Sequence, residues 1–199
     1  MTELLPSTNL ILIALKRSIR NTMATIRATD VLYPPFAQQI APFLEKAQVL
    51  NAFVFESLRT FEQQKEYFSR GRRYDTTTGL WVIVDPKKIV TKAMPGYSWH
   101  AYGVAIDMVF DGNVQKQGIQ WTWEDADLTV PGKQLLPWEI LGNLGKQFGL
   151  EWAGDWTSFP EQPHFQNSYG MQVRHAYDIY SNGGLEAVWA EFDRIRAQV

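Results

Sequence analysis

Three side chains in this sequence have the types and the order to hold a catalytic metal ion: His100, Asp107 and, much later, His164. The first two lie in a ten-residue stretch, Ser98-Trp99-His100-Ala101-Tyr102-Gly103-Val104-Ala105-Ile106-Asp107, and the third sits in Glu161-Gln162-Pro163-His164-Phe165. Two neutral imidazole nitrogens and one carboxylate oxygen give zinc three protein ligands and leave its fourth position open to water. That is the pattern of catalytic zinc; structural zinc is closed by four ligands, usually Cys-rich. The chain contains no cysteine, so disulfides and thiol nucleophiles are excluded and any metal site must be built from His, Asp and Glu. The same donors suit several divalent ions besides zinc. The third histidine, His175, lies in a helical pattern and is expected on the surface.

The spacing dictates a turn. Residues seven apart on a regular strand face opposite sides, because side chains alternate with period two. His100 and Asp107 therefore converge only if the chain bends between them, and Gly103 supplies the permissive backbone. Val104 to Phe110 then reads as a buried strand carrying Asp107, with His100 on the loop leading into it. For an isolated His-x6-Asp the plainer account prevails, in which Asp107 caps a turn and His100 packs as a satisfied histidine. The second cluster shifts that balance.

A metal-dependent hydrolase also needs a carboxylate to take and pass on a proton. Glu161, three residues before His164 and tied to it through the stiff Pro163, is the natural candidate; the plain alternative is a surface Glu in a turn. Asp155, in Trp152-Ala153-Gly154-Asp155-Trp156, competes for that role or orients a ligand histidine from behind. Arg59 follows a strand pattern and precedes a polar helix, and its guanidinium suits a two-pronged grip on a substrate carboxylate; taken alone, a surface salt bridge is the leading account. Gln64 and Tyr67 fall on the helix after it and are candidates to line the same cleft, although helical packing explains Tyr67 equally well. Trp99, Trp152 and Trp156 are either walls for an extended ligand or core.

The elements that must position these groups follow in order. Residues 1–30 read as a helix and linker ahead of the main domain. Pro34-Pro35 opens a helix to about Gln48 with apolar positions Phe36, Ile40, Phe43, Leu44 and Ala47, which Pro42 is expected to kink or divide. Ala52 to Leu58 alternates as a strand. A helix from Thr60 to about Arg70 starts with a capping box of Thr60 and Gln63. Residues 71–79 read as a basic loop, Leu80–Val84 and Lys88–Thr91 as short strands, and 111–134 as an irregular insertion. Pro137 starts a helix that Gly149 ends. Leu150–Trp152 and Pro163–Gln166 are short strands, and a terminal helix from Met171 breaks at Asn182-Gly183-Gly184 and resumes to about Arg196.

Composition bounds the rest. At 199 residues, 45% hydrophobic and 14% aromatic, the chain suits one domain with its own core. A net charge of -2 disfavours a general nucleic-acid binder. The apolar run Leu10–Leu15 is too short to span a membrane and has its charges on the wrong side for a signal peptide. Synthesis in the cytoplasm without export is expected.

The set Ser98-x-His100-x-x-Gly103-x-Ala105-x-Asp107, Gly154-Asp155-Trp156 and Glu161-x-Pro163-His164-Phe165 resembles the zinc L-alanyl-D-glutamate peptidases of the bacteriophage endolysin type. These belong with the D-alanyl-D-alanine carboxypeptidases, the vancomycin-resistance dipeptidases and the hedgehog-like fold. Arg59-Thr60-x-x-x-Gln64, Gly71-Arg72, Val90-Thr91-x-Ala93-x-Pro95-Gly96 and Gly183-Gly184-Leu185-x-Ala187-Val188-Trp189 are similar to further family signatures. The resemblance spans roughly residues 31–199 in the same order. It implies an α+β fold, a small antiparallel sheet with helices packed on it and zinc in an open cleft. His100, Asp107 and His164 are then the ligands, Glu161 the general base, Asp155 a residue behind the ligands, and Arg59, Gln64 and Ser98 the substrate side. The implied substrate is the peptidoglycan stem peptide, cut between L-Ala and D-Glu by a monomeric phage or prophage lysin held in the host cytoplasm until a membrane pore releases it. Two positions depart from the pattern: Glu161 is often Asp in the endolysin branch and usually Glu among the dipeptidases, and Ala153 stands where glycine is common. The alternatives are a D-Ala-D-Ala carboxypeptidase or dipeptidase of wall metabolism and an inactive zinc-containing module that binds wall peptides.

Overall fold

In the computed structural model, which describes residues 25–111, 119–120 and 137–198, one strand organises the sheet: β4, Ala105–Asp111. Its sequence, Ala-Ile-Asp-Met-Val-Phe-Asp, is β-prone and almost wholly apolar, as a strand buried on both faces requires. On one side it pairs with β1 (Ala52–Glu56). On the other it pairs with β7 (His164–Gln166) and, at its far end, with the two-residue β5 (Ile119–Gln120). β6 (Glu151–Trp152) completes the sheet beyond β7, and every pairing is antiparallel.

One face of this sheet is core. Ile106, Met108, Phe110, Phe165 and Trp152 are at most 4% exposed, each worth roughly 1.5–3 kcal/mol for a fully buried large apolar side chain. Two helices cover them. α1 (Pro34–Gln48) buries Phe36, Ile40, Phe43 and Ala47, and Phe43 meets Phe165 at 5.2 Å between ring centroids. α3 (Pro137–Gln147) sets Trp138 edge-on to Phe110 at 4.7 Å. Gly142 and Gly145 lie three residues apart on one face of α3, where a Cβ would stand 2.2 Å from the Trp152 ring and 2.7 Å from Phe165. These two glycines are therefore the groove that lets α3 approach the sheet. The expected α+β class, with a small antiparallel sheet and helices packed on it, is the one observed.

The capping box expected at Thr60 is present: Thr60 Oγ1 accepts from Gln63 N–H, and Gln63 Oε1 accepts from Thr60 N–H, opening α2 (Phe61–Ser69). Gly103 adopts φ 72°, and a Cβ there would lie 2.9 Å from Tyr33 N, so the bend also admits the backbone of the segment before α1. The terminal helix α4 (Val173–Arg196) is interrupted at Gly184, φ 71° and ψ -167°, as the Gly-Gly pair predicts. His175 is on the surface of α4.

Several expectations need correction. Pro42 does not divide α1, which is continuous across it; Pro42 and Gln38 are both exposed, on the side where water can reach the carbonyl that proline leaves without a helical donor. The basic loop holds a strand, β2 (Arg72–Asp75), paired with β3 (Leu80–Ile83) across a turn where Asp75 accepts from Thr77 N–H. That strand is specified by its turn and partner, and its own residues carry no alternation to reveal it. Lys88–Thr91 is no strand; Pro86–Lys88 forms a 3-10 turn capped by Asp85. The helix expected within residues 1–30 and the insertion at 111–134 fall largely outside the described residues. Residues 25–30 run past the end of β1, where Ser57 N–H donates to Ile26 O at 2.7 Å.

Candidate metal centre

The face opposite the core carries the site, and sheet register builds it. Asp107 stands directly across from Glu56 on β1 and from His164 on β7. Opposed residues share a face, so these three form one row across the sheet. A bulge at Phe55 makes this so: Val54 pairs with Met108, yet Glu56 pairs with Asp107. Without the extra residue Glu56 would share Val54's face and enter the core; with it, Glu56 turns to the site.

His100 arrives from outside the sheet, on a 3-10 turn spanning Trp99–Tyr102 that Gly103 ends in the left-handed conformation. The turn is held to the segment after β1 by Arg59 N–H donating to His100 O at 3.3 Å. His100 Nε2, Asp107 Oδ1 and His164 Nδ1 then converge, with separations of 3.1, 3.0 and 3.1 Å. Among the described residues they form the group of three His, Asp or Glu able to hold a metal, their ligand atoms all within 4.8 Å of one another. His100 is 1% and His164 6% exposed.

The donors fit a divalent cation. Tetrahedral zinc bound at about 2.0–2.1 Å sets its ligand atoms about 3.3 Å apart, close to the spacing found here. The other nitrogen of each ring is committed elsewhere. His100 Nδ1 lies 2.6 Å from Ser57 O, which only accepts, so Nδ1 carries the proton and Nε2 keeps its lone pair for the cluster. His164 Nε2 lies 2.8 Å from Gln166 Oε1, which leaves Nδ1 for the cluster.

The charges agree. Burial holds His100 below its ordinary pKa, against the pull of Asp107. For His164 burial acts the same way, but the hydrogen bond and charge of Asp107, helped by Glu161, raise it overall. Burial alone would raise Asp107; the imidazoles and Arg59 instead hold it well below the usual carboxylate range.

Arg59 is 8% exposed and braces the site from beneath. Its Nη2 donates to Asp107 Oδ2 at 2.8 Å and to Glu56 Oε2, its Nε donates to the same Glu56 oxygen at 2.8 Å, and its Nη1 donates to Gln64 Oε1 at 2.9 Å. Gln64, 1% exposed, passes its amide hydrogen on to Ala93 O at 2.7 Å. Both residues were expected on the substrate side; the atoms named here bond to Glu56, Asp107, Ala93 and each other. Ser98 is buried at the start of the 3-10 turn, two residues before His100.

Glu161 precedes His164 by three residues. Its N–H donates to Ala153 O at 3.0 Å and its carbonyl accepts from His164 N–H at 3.1 Å, so the two residues share one tight turn. Burial raises its carboxyl above the ordinary value; His164 opposes this, Asp107 adds to it and Arg59 opposes it. Asp155 stands apart: its carboxylate is half exposed and pairs with Lys146 at 2.8 Å. The position behind a ligand histidine expected for Asp155 is taken by Gln166. That residue was missed, although strand period two places it on the same face as His164. Glu56 was missed because its orientation depends on the bulge. Of the three tryptophans, Trp156 reaches the site, its ring 5.6 Å from that of His164. Trp99 packs against Tyr102 and Phe192, and Trp152 against Phe165.

A buried centre of two imidazoles and one carboxylate is a donor set able to hold a divalent metal ion. Comparison with known proteins gives the family. Residues 91–167 match the family described as D-alanyl-D-alanine carboxypeptidase. The peptidoglycan L-alanyl-D-glutamate endopeptidase CwlK of Bacillus subtilis is 32% identical over 136 residues, which cover 66% of this chain and 71% of CwlK. Among solved structures, the Serratia marcescens L-Ala D-Glu endopeptidase ChiX aligns with a TM-score of 0.42 at 19% identity, covering 74% of this chain and 90% of ChiX. The vancomycin-resistance D,D-pentapeptidase VanY, in complex with Zn(II), aligns with a TM-score of 0.44 at 19% identity, covering 83% of this chain and 89% of VanY. The chain belongs to the M15 peptidases, a family of zinc-dependent hydrolases acting on peptidoglycan.

Proposed function

We propose that this chain cuts the peptidoglycan stem peptide between L-alanine and D-glutamate. The identity to CwlK, which extends well outside the metal-binding motifs, carries this choice of bond. His100, Asp107 and His164 would hold zinc, which when bound would supply a water of lowered pKa and polarise the scissile carbonyl. The chain's own groups do the rest. Glu161 takes a proton from the attacking water and passes it to the leaving amide nitrogen, a role its raised pKa suits. Arg59 fixes Asp107 by its second oxygen, so that the first stays turned toward the two ligand imidazoles. Ser57 O and Gln166 hold the two imidazoles in the tautomers that binding requires.

Service as a phage or prophage lysin, retained in the host cytoplasm and released to the wall, belongs to the same proposal and is supported by the likeness of the motifs to the endolysin type. A second reading, removal of terminal D-alanine, is favoured by the matched family's description and by Glu161, the residue usual among the dipeptidases. Mass spectrometry of products from purified peptidoglycan separates the two. The proposal expects stem peptides that begin at D-glutamate. Loss of terminal D-alanine alone would move the chain to the carboxypeptidase reading.

A further inference from the structure

Behind His164 runs a relay of side chains that ends at the protein surface. Gln166 Oε1 is 2.8 Å from His164 Nε2. Gln166 Nε2 donates to Glu151 Oε2 at 2.8 Å, and Trp156 Nε1 donates to Glu151 Oε1 at 2.7 Å. The Trp156 ring then closes back over the His164 ring at 5.6 Å, tilted by 48°. Sheet register explains the layout, because Glu151 and Gln166 are directly opposed on β6 and β7 and share the site face. Gln166 is 6% exposed, whereas Glu151 is exposed.

The chemistry of the relay has a direction. A carboxylate only accepts hydrogen bonds, an indole N–H only donates, and an amide does one at each end. Glu151 therefore obliges Gln166 to present its NH2 group outward and its oxygen inward. An inward oxygen obliges His164 to carry its proton on Nε2. That proton position leaves the Nδ1 lone pair facing Asp107 Oδ1 and His100 Nε2. Asp107 Oδ1, 3.0 Å from His164 Nδ1, also accepts, so in the absence of metal the relay and Asp107 compete for the single proton of the neutral ring.

We infer that Glu151, a surface residue outside the metal-binding motifs, is a positioning residue that selects the metal-binding tautomer of His164 through the Gln166 amide. The inference rests on the reading of His164 as a ligand through Nδ1. His100 has no equivalent, since its partner is the Ser57 backbone carbonyl. The two imidazoles therefore differ in how their tautomers are held: one by the main chain, the other by a side chain that can be exchanged without touching the core.

The test reverses the polarity of the relay. In Glu151→Lys the surface group becomes a donor with no acceptor, so Gln166 turns its oxygen outward and its NH2 toward His164. The ring must then accept at Nε2 and carry its proton on Nδ1. Glu151→Ala removes the constraint without reversing it. Histidine nitrogen spectra of 15N-labelled, zinc-free protein, recorded above the histidine titrations, read the tautomer directly. The Nε2–H share is expected to be highest in wild type, lower in Glu151→Ala and lowest in Glu151→Lys. Zinc affinity by chelator competition is expected to fall about ten- to a hundredfold in Glu151→Lys and less in Glu151→Ala. A thermal melt of each variant confirms that it is folded, and Glu151→Ala carries the test if the lysine variant is not. Wild-type tautomer and wild-type zinc affinity in folded variants would overturn the inference. The tautomer is read without metal or substrate, so failure of the proposed peptidase activity would show separately, as wild-type protein that cuts nothing.

Discussion

Glu161→Gln keeps its zinc and loses about a hundred- to ten-thousandfold of its turnover, the span general acid–base catalysis contributes. The amide preserves shape and hydrogen bonding but cannot take a proton. Nothing in the ligand set changes, because Glu161 is not among the three groups that converge. Steady-state kinetics on purified peptidoglycan, with zinc content measured on the same preparation, check both halves. The pH profile adds a second reading. Glu161 works as a base only when ionised, and its pKa is raised, so wild-type turnover falls on the acid side as pH drops through that raised value. Any residual activity of the variant should lack this limb. A variant with full turnover and full zinc would remove Glu161 from the reaction.

Arg59→Ala costs about 3–5 kcal/mol of stability, the penalty for breaking a buried ion pair by removing one partner. Glu56 is 2% exposed and faces Arg59 through both Nε and Nη2. With the guanidinium gone, its carboxylate stays buried without that cation, and Asp107 Oδ2 loses its donor. Urea unfolding of the zinc-free protein measures the loss. Adding Glu56→Gln to the alanine variant should recover part of it, because the buried negative charge is then gone as well. Unchanged stability in the single variant would mean that the pair does not brace the site. Loss of zinc affinity alongside stability is expected, since Arg59 orients the ligand Asp107.

What could be read from the residues was local. The apolar run of β4, the capping box at Thr60, the left-handed bend at Gly103 and the break at Gly184 each follow from side-chain chemistry within a few positions. The ligand set was also legible, because few groups can bind a metal in a chain with three histidines and no cysteine. What escaped depends on register. The bulge at Phe55 decides which face Glu56 occupies, yet Ala52–Leu58 reads as simple alternation. Asp155 is nearer His164 in sequence than Glu151 is, but it is Glu151 that β6 places opposite Gln166. Arg59 has the character of a substrate grip, and only the fold shows how its guanidinium is occupied by Glu56, Gln64 and Asp107.

The central claim is that hydrolysis depends on a metal held by His100, Asp107 and His164. The most direct measurement strips purified protein with a chelator, assays it on peptidoglycan, and repeats the assay after one equivalent of zinc is returned, with His164→Ala carried through in parallel. The account predicts no hydrolysis from stripped protein, recovery with zinc in wild type, and neither tight zinc binding nor recovery in His164→Ala. Full hydrolysis by stripped protein, or by a His164→Ala protein that holds no zinc, would contradict it.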